Sequence, residues 1–280
     1  MLPNLPTLKD VVARHGIAPA RALGQHFLFD ANITDKIAAA AGDVQSGAVY
    51  EVGPGPGGLT RSLLNAGARK LIVVENDQRC FAALEELSKA VPGRMRILQA
   101  DAMIVNEAQY APVGTKIVAN LPYNISTPLL LKWLKDAKRY ASMTLMFQKE
   151  VAMRLVAVPS TADYGRLSIM TQWLCDTKRL FDVEPGSFVP APKVTSSVVQ
   201  LTPRAQPLAP ARWDHLEKVV AAAFGQRRKM LRVALKTLNA NSDQMLAAAG
   251  VDGQARGEEL TVEQFCALAG AYQKLAGGRF

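Results

Sequence analysis

A glycine-rich turn near residue 55 constrains the fold of this chain more than any other stretch. The short apolar run Val49-Tyr-Glu-Val52 is typical of a strand and leads directly into Gly53-Pro-Gly-Pro-Gly-Gly58. A helical pattern from Leu59 to Asn65 follows. Because glycine has no Cβ, such a turn lets backbone approach a ligand closely at the amino end of a helix. The pattern predicts a strand-turn-helix unit with a ligand site at the turn.

The alternation of strands and helices continues along the chain. Further strands are predicted at 71–74, 96–99, 116–119, 143–147, 178–183 and 196–201. Helical patterns lie between several of these runs, as is typical of a doubly wound parallel sheet. Three prolines between residues 203 and 212 then predict a linker, and the pattern beyond it is helical. We therefore predict an α/β, Rossmann-like domain of residues 1–205 and a small all-helical domain of residues 206–280.

Composition narrows the functional classes. With 280 residues, 49% of them apolar, the chain can bury a large core, and no apolar run approaches the roughly 20 residues of a membrane span. A cytoplasmic protein without a membrane partner is expected. Three cysteines and three histidines are scattered, so neither a disulfide framework nor a metal site is expected. A formal charge of +9 favours a polyanionic partner, although charge alone is a weak signal.

The glycine turn leaves two cofactor classes open. Gly53, Gly55 and Gly58 satisfy G-x-G-x-x-G, and Glu75 follows Gly53 by 22 residues, where a dinucleotide site has its ribose-binding acid. A nicotinamide or flavin cofactor is therefore a real alternative. The prolines within the turn lack the N–H donors that would hold a pyrophosphate, which favours a nucleoside cofactor without phosphates.

The tetrapeptide Asn120-Leu-Pro-Tyr123 follows the predicted strand at 116–119. Proline cannot continue a sheet ladder, so these residues are expected on a loop at the carboxyl edge, where open α/β sheets bind ligands. The Asn120 amide, the Leu121 carbonyl and the Tyr123 ring could hold a planar base that carries an amino group. A plain strand-to-loop turn is the alternative, and for the tetrapeptide alone it is the more common meaning.

A second aromatic residue, Phe188, precedes two prolines in the predicted loop between the last two strands. The prolines should hold this loop extended and keep Phe188 near the sheet edge. Phe188 and Tyr123 would then offer two aromatic faces to one base. The alternative is a core phenylalanine beside a rigid turn.

Together these motifs resemble a known family of enzymes. Glu51-Val-Gly-Pro-Gly-Pro-Gly57, with Glu75, Asp101 and Asn120–Tyr123 at successive strand ends, resembles class I S-adenosylmethionine-dependent methyltransferases. Four further segments are similar to the ribosomal RNA adenine dimethylases, and within them to those that act on small-subunit (16S) rRNA: Leu23–Leu28, Phe147–Val151, Tyr164–Ser168 and Phe188–Ser196. The resemblance covers essentially the whole chain.

The resemblance implies an activity and a set of partners. It implies transfer of methyl groups from S-adenosylmethionine to the N6 atoms of two adjacent adenosines near the 3′ end of 16S rRNA, with S-adenosylhomocysteine as product. The substrate would be the small-subunit rRNA, within the 30S subunit or its precursor, and the enzyme would be a monomer that contributes to subunit maturation. A DNA or large-subunit rRNA adenine methyltransferase and an inactive ribosome-assembly factor are the two alternatives.

The resemblance also implies roles for individual residues. Gly53 would lie against the methionine part of the cofactor, Glu75 would bind its ribose, and Asp101 would address its adenine amino group. The remaining implied cofactor positions are His26, Leu28, Gly55, Asn76, Ala102 and Asn120. The implied catalytic positions are Asn120, Leu121, Pro122, Tyr123 and Phe188. The family often has asparagine where this chain has His26, so a side-chain contact at that position is open.

A basic run in the predicted helical domain is the remaining feature. Arg227, Arg228, Lys229, Arg232 and Lys236 fall within ten residues, on what is predicted to be one helix. A solvated helix face is the usual meaning of such a run. Because no acidic residue lies between Lys218 and Asp243, we predict a phosphate-binding surface. Arg228, Arg232 and Lys236, at four-residue steps, would share one stripe of that helix.

Overall fold

A computed structural model of the chain describes residues 5–20 and 24–276. It divides into two compact units. The sheet unit comprises residues 1–152 and 178–203, and the helical unit comprises residues 153–177 and 204–280. Within the described ranges no helix is both long and apolar enough to cross a membrane.

The strands form a seven-stranded sheet and a separate two-stranded ribbon. They are β1 (Phe27–Leu28), β2 (Ala48–Val52), β3 (Lys70–Glu75), β4 (Met95–Gln99), β5 (Thr115–Asn120), β6 (Tyr140–Gln148), β7 (Cys175–Val183), β8 (Phe188–Val189) and β9 (Ser196–Pro203). The large sheet has the order β4-β3-β2-β5-β6-β9-β7, and β1 pairs with β8. Strands β2 to β6 run parallel, and β9 runs antiparallel to β6. The predicted α/β, doubly wound class is confirmed.

The strand order creates one switch point. From β2 the chain adds β3 and β4 on one side and then returns to place β5 on the other side of β2. The connections after β2 and β5 therefore diverge at the carboxyl edge and leave a crevice between them. Ligands of open α/β sheets bind at such a crevice.

The helices have the following bounds. They are α1 (Leu8–Arg14), α2 (Ala31–Ala40), α3 (Gly58–Asn65), α4 (Phe81–Ala90), α5 (Tyr123–Leu134), α6 (Lys149–Val156), α7 (Arg166–Leu174), α8 (Trp213–Gly225), α9 (Leu231–Ala234), α10 (Ser242–Ala249) and α11 (Val262–Ala276). Thr261 and Gln264 exchange hydrogen bonds at the start of α11. This reciprocal pair is a capping box, as the sequence Thr261-Val-Glu-Gln264 predicts.

Helix α5 begins earlier than the sequence pattern suggests. The pattern predicts a helix from Pro128, but Tyr123 is already the first helical residue and Pro122 occupies the N-cap position. Proline suits the start of a helix, because its fixed φ matches and its missing N–H has no partner there. Tyr123 therefore lies on the first helical turn rather than on a loop.

Phe188 and Val189 form a strand, although the sequence predicts a loop at this point. Leu28 lies opposite Phe188 and Phe27 lies opposite Val189 in an antiparallel pair. This pairing ties the N-terminal segment to the connection between β7 and β9. A sequence pattern cannot show it, because each strand is only two residues long and its partner is remote.

The helical unit also includes residues 153–177, which the predicted boundary at residue 205 assigns to the first domain. Ser168 Oγ donates to Arg154 O at 2.6 Å, and Ser160 N donates to Glu258 O at 2.8 Å. The Tyr164 ring packs edge-on against Phe224 at 6.3 Å between centroids. The first bond lies within residues 153–177, and the other two contacts hold these residues against the C-terminal stretch, so the unit is built from two separate stretches of chain.

The basic run does not form one helix. Helix α8 ends at Gly225, residues 226–229 form a turn, and α9 begins only at Leu231. Glycine is a poor helix former, and Met230 makes an isolated antiparallel bridge to Arg256, which draws the backbone out of the helical path. The predicted stripe of Arg228, Arg232 and Lys236 is therefore wrong.

Candidate active site

One cavity in the sheet unit brings together the predicted positions around the switch point. All nine implied cofactor positions line it, as do all four residues of the tetrapeptide. Phe188 is absent from its walls. Leu23, the first residue of one matching segment, lies outside the described residues. The cavity is thus formed by the N-terminal segment, the glycine turn and the loops after β3, β4 and β5.

The glycine turn needs its glycines for two reasons. Gly53 and Gly55 have φ of +67° and +55°, which side chains rarely allow. A Cβ on Gly55 would lie 3.1 Å from the Phe27 ring, and a Cβ on Gly58 would lie 2.8 Å from Leu28 O. The turn is therefore shaped so that β1 can lie directly against it.

Three glycine amides of this turn donate hydrogen bonds within the protein. Gly53 N–H donates to Val74 O, Gly55 N–H to Glu75 Oε2 and Gly57 N–H to Pro54 O, each at 2.9 Å. Pro54 and Pro56 have no N–H to offer. A phosphate site needs a set of free amides that converge on the anion. The turn therefore suits a cofactor without phosphates.

Glu75 at the end of β3 is held by backbone amides. Its Oε2 accepts from Gly55 N–H, and its Oε1 accepts from Asn76 N–H at 2.9 Å and from Asp77 N–H at 2.8 Å. Burial raises the pKa of Glu75, while these three bonds act in the opposite direction. A carboxylate has about four acceptor positions, so one remains for a hydroxyl donor in the cavity.

Glu51 is a cavity residue that sequence reasoning did not assign to the site. It is 1% exposed, and its Oε2 has no hydrogen-bond partner among the described residues. Complete burial raises the pKa of Glu51 to about 8, and the charge of Glu75 adds to this effect. A buried carboxyl oxygen without a hydrogen-bond partner in a cavity wall is suited to a cationic or hydrogen-bonding ligand. The pattern Glu-x-Gly-x-Gly was the available signal.

The raised pKa of Glu51 predicts how stability depends on pH. The ligand-free folded state holds this proton up to about pH 8, whereas the unfolded state releases it near 4.3. The free energy of unfolding should therefore fall as pH rises through this window, by at most about 1.4 kcal/mol per pH unit. Glu51→Gln should lack this part of the slope. Urea unfolding of both proteins across the window tests this, and parallel pH profiles would contradict it.

Asn120 and Leu121 present acceptors at the carboxyl end of β5. The Asn120 Nδ2 donates to His26 O at 3.5 Å, which directs the amide oxygen away from His26. Leu121 is 1% exposed, and its carbonyl precedes Pro122 in the cavity wall. Two oxygens, one from a side chain and one from the backbone, are therefore provided at one strand end.

The Tyr123 ring is fixed from two sides. Its hydroxyl is 2.7 Å from Ser196 Oγ at the start of β9. The His26 ring lies 5.6 Å from the Tyr123 ring, at an angle of 31°. His26 Nδ1–H in turn donates to Pro190 O at 2.7 Å. His26 thus has a defined side-chain contact, and it joins the N-terminal segment to the connection after β8.

Phe188 does not present an open face to the cavity. It is 3% exposed and belongs to a core cluster that includes Leu28, Ile37 and Leu63. Its pairing with Leu28 turns the ring into the core beneath the N-terminal segment. Of the two interpretations of the sequence, a face for the base or a core phenylalanine beside a rigid turn, the second describes the position of Phe188 in this structure.

The basic residues differ in their partners. In the helical unit Arg227 donates to Glu258 Oε2 and to Ala162 O, both at 2.7 Å. The other four predicted contacts are exposed: Arg228, Lys229, Arg232 and Lys236. Arg227 therefore has a structural partner, and the exposed four, hereafter the basic surface, are the residues open to phosphates. Among the described residues, no group of three or more His, Cys, Asp or Glu side chains is placed so that it could hold a metal ion.

Comparison with known proteins agrees with this geometry. The profile of the family described as ribosomal RNA adenine dimethylase matches residues 19–274. A protein named ribosomal RNA small subunit methyltransferase A, from Paramagnetospirillum magneticum, is 56% identical over 268 residues, which cover 96% of this chain and 95% of that protein.

Two solved structures share the architecture. A dimethyladenosine transferase from Plasmodium falciparum has a TM-score of 0.76 at 26% identity, covering 90% of this chain and 98% of its own. The 23S rRNA methyltransferase ErmE has a TM-score of 0.66 at 28% identity, covering 88% and 99%. Since the family profile and the high-identity relative both span nearly the whole length, this chain belongs to the ribosomal RNA adenine dimethylase family.

Proposed function

We propose that this enzyme transfers methyl groups from S-adenosylmethionine to the N6 atoms of two adjacent adenosines near the 3′ end of small-subunit (16S) rRNA, giving N6,N6-dimethyladenosine. Its substrate is the rRNA in the 30S subunit or a precursor, and it acts in the cytoplasm as a monomer during subunit maturation. The observation that carries this proposal is the shared cavity of Asn120–Tyr123 with Glu75 and Asp101. The 56% identity to a small-subunit enzyme favours that substrate.

The cavity residues fit the proposed cofactor. The committed amides of the glycine turn match a nucleoside without phosphates, and the open oxygen of Glu51 matches a ligand with an ammonium group. Glu75 would bind the ribose and Asp101 the adenine amino group, with Asn76 and Ala102 beside them. When bound, S-adenosylmethionine supplies a methyl group on an electrophilic sulfonium and leaves as S-adenosylhomocysteine.

The tetrapeptide would orient the target amino group. An adenine amino group is a weak nucleophile because its lone pair is delocalised into the ring, so positioning is the main requirement. Alignment of two reactants can supply about 7–11 kcal/mol of barrier reduction. Asn120 Oδ1 and the Leu121 carbonyl would accept hydrogen bonds from the amino group and stabilise the positive charge that develops on nitrogen. No general base is needed before attack, since the proton becomes acidic only as the bond forms.

One assay tests the proposed function. Labelled S-adenosylmethionine is offered with unmodified 30S subunits, naked 16S rRNA, 23S rRNA and duplex DNA, and the nucleosides are analysed. Label in dimethyladenosine from small-subunit RNA is expected. Label only in 23S rRNA would instead assign the activity of the solved ErmE neighbour, and label only in DNA or in none would overturn the proposal. NADH should not bind.

Tyr123 is expected to stack on the extruded base. Stacking on an aromatic side chain contributes roughly 1–3 kcal/mol, so Tyr123→Ala should lower methyl transfer about 5- to 150-fold with S-adenosylmethionine affinity unchanged. Tyr123→Phe keeps the ring and loses only the hydrogen bond to Ser196, so it should retain most activity. Single-turnover rates and calorimetry measure both effects. Equal rates for the alanine and wild-type proteins would remove Tyr123 from the base site.

The sequence predicts Phe188 as a second face for the base, but Phe188 is buried in the core, so its variants must be tested for stability as well as for activity. Phe188→Ala should destabilise the fold by about 3–5 kcal/mol, because it opens a cavity in the core. Phe188→Leu fills most of that volume. If Phe188 also meets the base, the leucine variant should be slower per folded molecule. An unchanged rate for Phe188→Leu would assign Phe188 to packing alone.

The basic surface should contribute a salt-dependent part of RNA affinity. Removing one cation that neutralises a phosphate should reduce the slope of logarithmic affinity against logarithmic salt by about 0.7–0.9. The triple variant Arg228→Gln, Arg232→Gln, Lys236→Gln should therefore bind rRNA more weakly and with a shallower slope. Binding isotherms at several salt concentrations measure it.

Arg227→Gln is the matched control for this variant. It removes one positive charge from the same run, against three in the triple variant, and its guanidinium is bonded to Glu258 and Ala162 O. Its effect on the slope is compared with one third of the effect of the triple variant. We expect it to lower stability and to leave most of the salt slope intact. If the triple variant and wild type gave parallel salt plots, the exposed cations would be only a solvated surface.

A further inference from the structure

A half-buried cation, Lys132, lies behind the loop that forms the adenine end of the cavity. Lys132, in the third turn of α5, donates through Nζ to Ala102 O at 2.7 Å, to Val105 O at 2.5 Å and to Glu107 Oε1 at 2.8 Å. An ammonium group has three donors, and all three are used here. Lys132 therefore has no donor left for a ligand, and its bonds are directed at backbone and at one carboxylate.

The carboxylate partner is itself fixed. Glu107 is 6% exposed, and its Oε1 also accepts from Trp133 Nε1 at 2.9 Å. Lys132 and Trp133 are neighbours on α5, so two successive side chains of the helix hold one oxygen. Lys132, Glu107 and the carbonyls of Ala102 and Val105 together are called the Lys132 clamp below.

The clamped loop carries the residues assigned to the cofactor adenine. Asp101 Oδ1 accepts from Met103 N–H at 2.8 Å, and Asp101 O accepts from Val105 N–H at 3.2 Å, so residues 101–105 form a compact turn. Asp101, Ala102 and Met103 line the cavity. The turn is internally closed, and the Lys132 clamp attaches it to α5.

Fold stability alone does not require such an arrangement. A buried ion pair contributes little net stability, and apolar residues of similar size often replace it without loss. Two of the three bonds made by Lys132 end on carbonyls of the cavity loop, and the same helix begins at Tyr123. We propose that Lys132 is a positioning residue that fixes the Asp101–Met103 loop relative to α5 and so sets the affinity of the adenosine half of the cofactor. This inference rests on the proposed function for the identity of that cofactor.

The test measures ligand binding rather than activity. In Lys132→Met the side chain keeps its length and loses its donors, so the loop can shift. A shifted loop would withdraw the Asp101 carboxylate from the adenine amino group, and losing one hydrogen bond to a charged group should lower affinity by about 10- to 100-fold. Calorimetry with S-adenosylhomocysteine and with 5′-methylthioadenosine, which lacks the amino acid portion, should give the same loss. Lys132→Arg, which keeps several donors, should recover part of it.

Two control variants separate positioning from stability. Arg94 is a half-buried cation that also clamps backbone carbonyls, Leu64 O at 2.5 Å and Ala68 O at 2.9 Å, but it lies before β4 at the opposite edge of the sheet. Arg94→Met should lower stability without changing 5′-methylthioadenosine affinity. The pair Lys132→Met, Glu107→Gln removes the carboxylate charge that the lysine no longer pairs and keeps an acceptor oxygen for Trp133 Nε1, so stability should recover while ligand affinity stays low.

The outcomes distinguish this inference from the proposed function. If wild type binds 5′-methylthioadenosine and Lys132→Met binds it equally well, the clamp is only structural and the inference is overturned. Recovery of affinity in the Lys132→Met, Glu107→Gln pair would overturn it as well. If wild type binds neither S-adenosylhomocysteine nor 5′-methylthioadenosine, the proposed cofactor is wrong, and the inference fails with it.

Discussion

Replacing Asn120 with alanine should lower kcat for methyl transfer by about 100- to 1,000-fold, the range found when one preorganised polar group is removed from an active site. The reason is geometric. The amide nitrogen is bonded to His26 O, which leaves the amide oxygen to accept from the target amino group as positive charge develops on it. Single-turnover methylation of 30S subunits with saturating S-adenosylmethionine measures the effect.

Asn120→Asp is the matched variant for this prediction. It keeps an acceptor oxygen of the same size and loses the N–H that holds the side chain against His26 O. We expect a rate between those of wild type and Asn120→Ala. Cofactor affinity should change much less than kcat in both variants. An alanine variant with the wild-type kcat would show that Asn120 does not contact the reacting nitrogen.

Glu75→Ala should produce the second large effect, a loss of S-adenosylmethionine affinity. A hydrogen bond to a charged group contributes about 1.5–3 kcal/mol, so removing the ribose acceptor should weaken binding roughly 10- to 150-fold. The structure adds a second consequence, because three backbone N–H groups lose their partner at once. The free energy of unfolding should therefore fall as well.

Glu75→Gln separates the two consequences. The amide oxygen can still accept from two backbone N–H groups, so stability should recover more than affinity does. Calorimetric titration at a temperature where both variants remain folded gives the affinity, and urea unfolding gives the stability. Unchanged affinity in folded Glu75→Ala would place the ribose elsewhere.

Much of the fold and of the site was predictable because it depends on local chemistry. Strands β2 to β6 and β9 contain short apolar runs, and the turn at Gly53–Gly58 needs residues without a side chain. The positions at strand ends, Glu75, Asp101 and Asn120, follow from the rule that parallel strands meet at one edge. These features require only a few neighbouring residues, so a single sequence contains them.

Contacts between remote segments were settled only in the folded chain. His26 bonds to Pro190 O across 164 positions, and Phe188 enters the core because it pairs with Leu28. The basic run breaks at Gly225, and Arg227 is held by Glu258, 31 positions away. Hydrophobic period and propensity describe each segment alone, whereas these contacts arise only when segments meet. Local sequence was therefore enough for the fold class and for the edge of the sheet that carries the cavity, while packing between distant segments determined which side chains line the cavity and which are buried or bonded elsewhere.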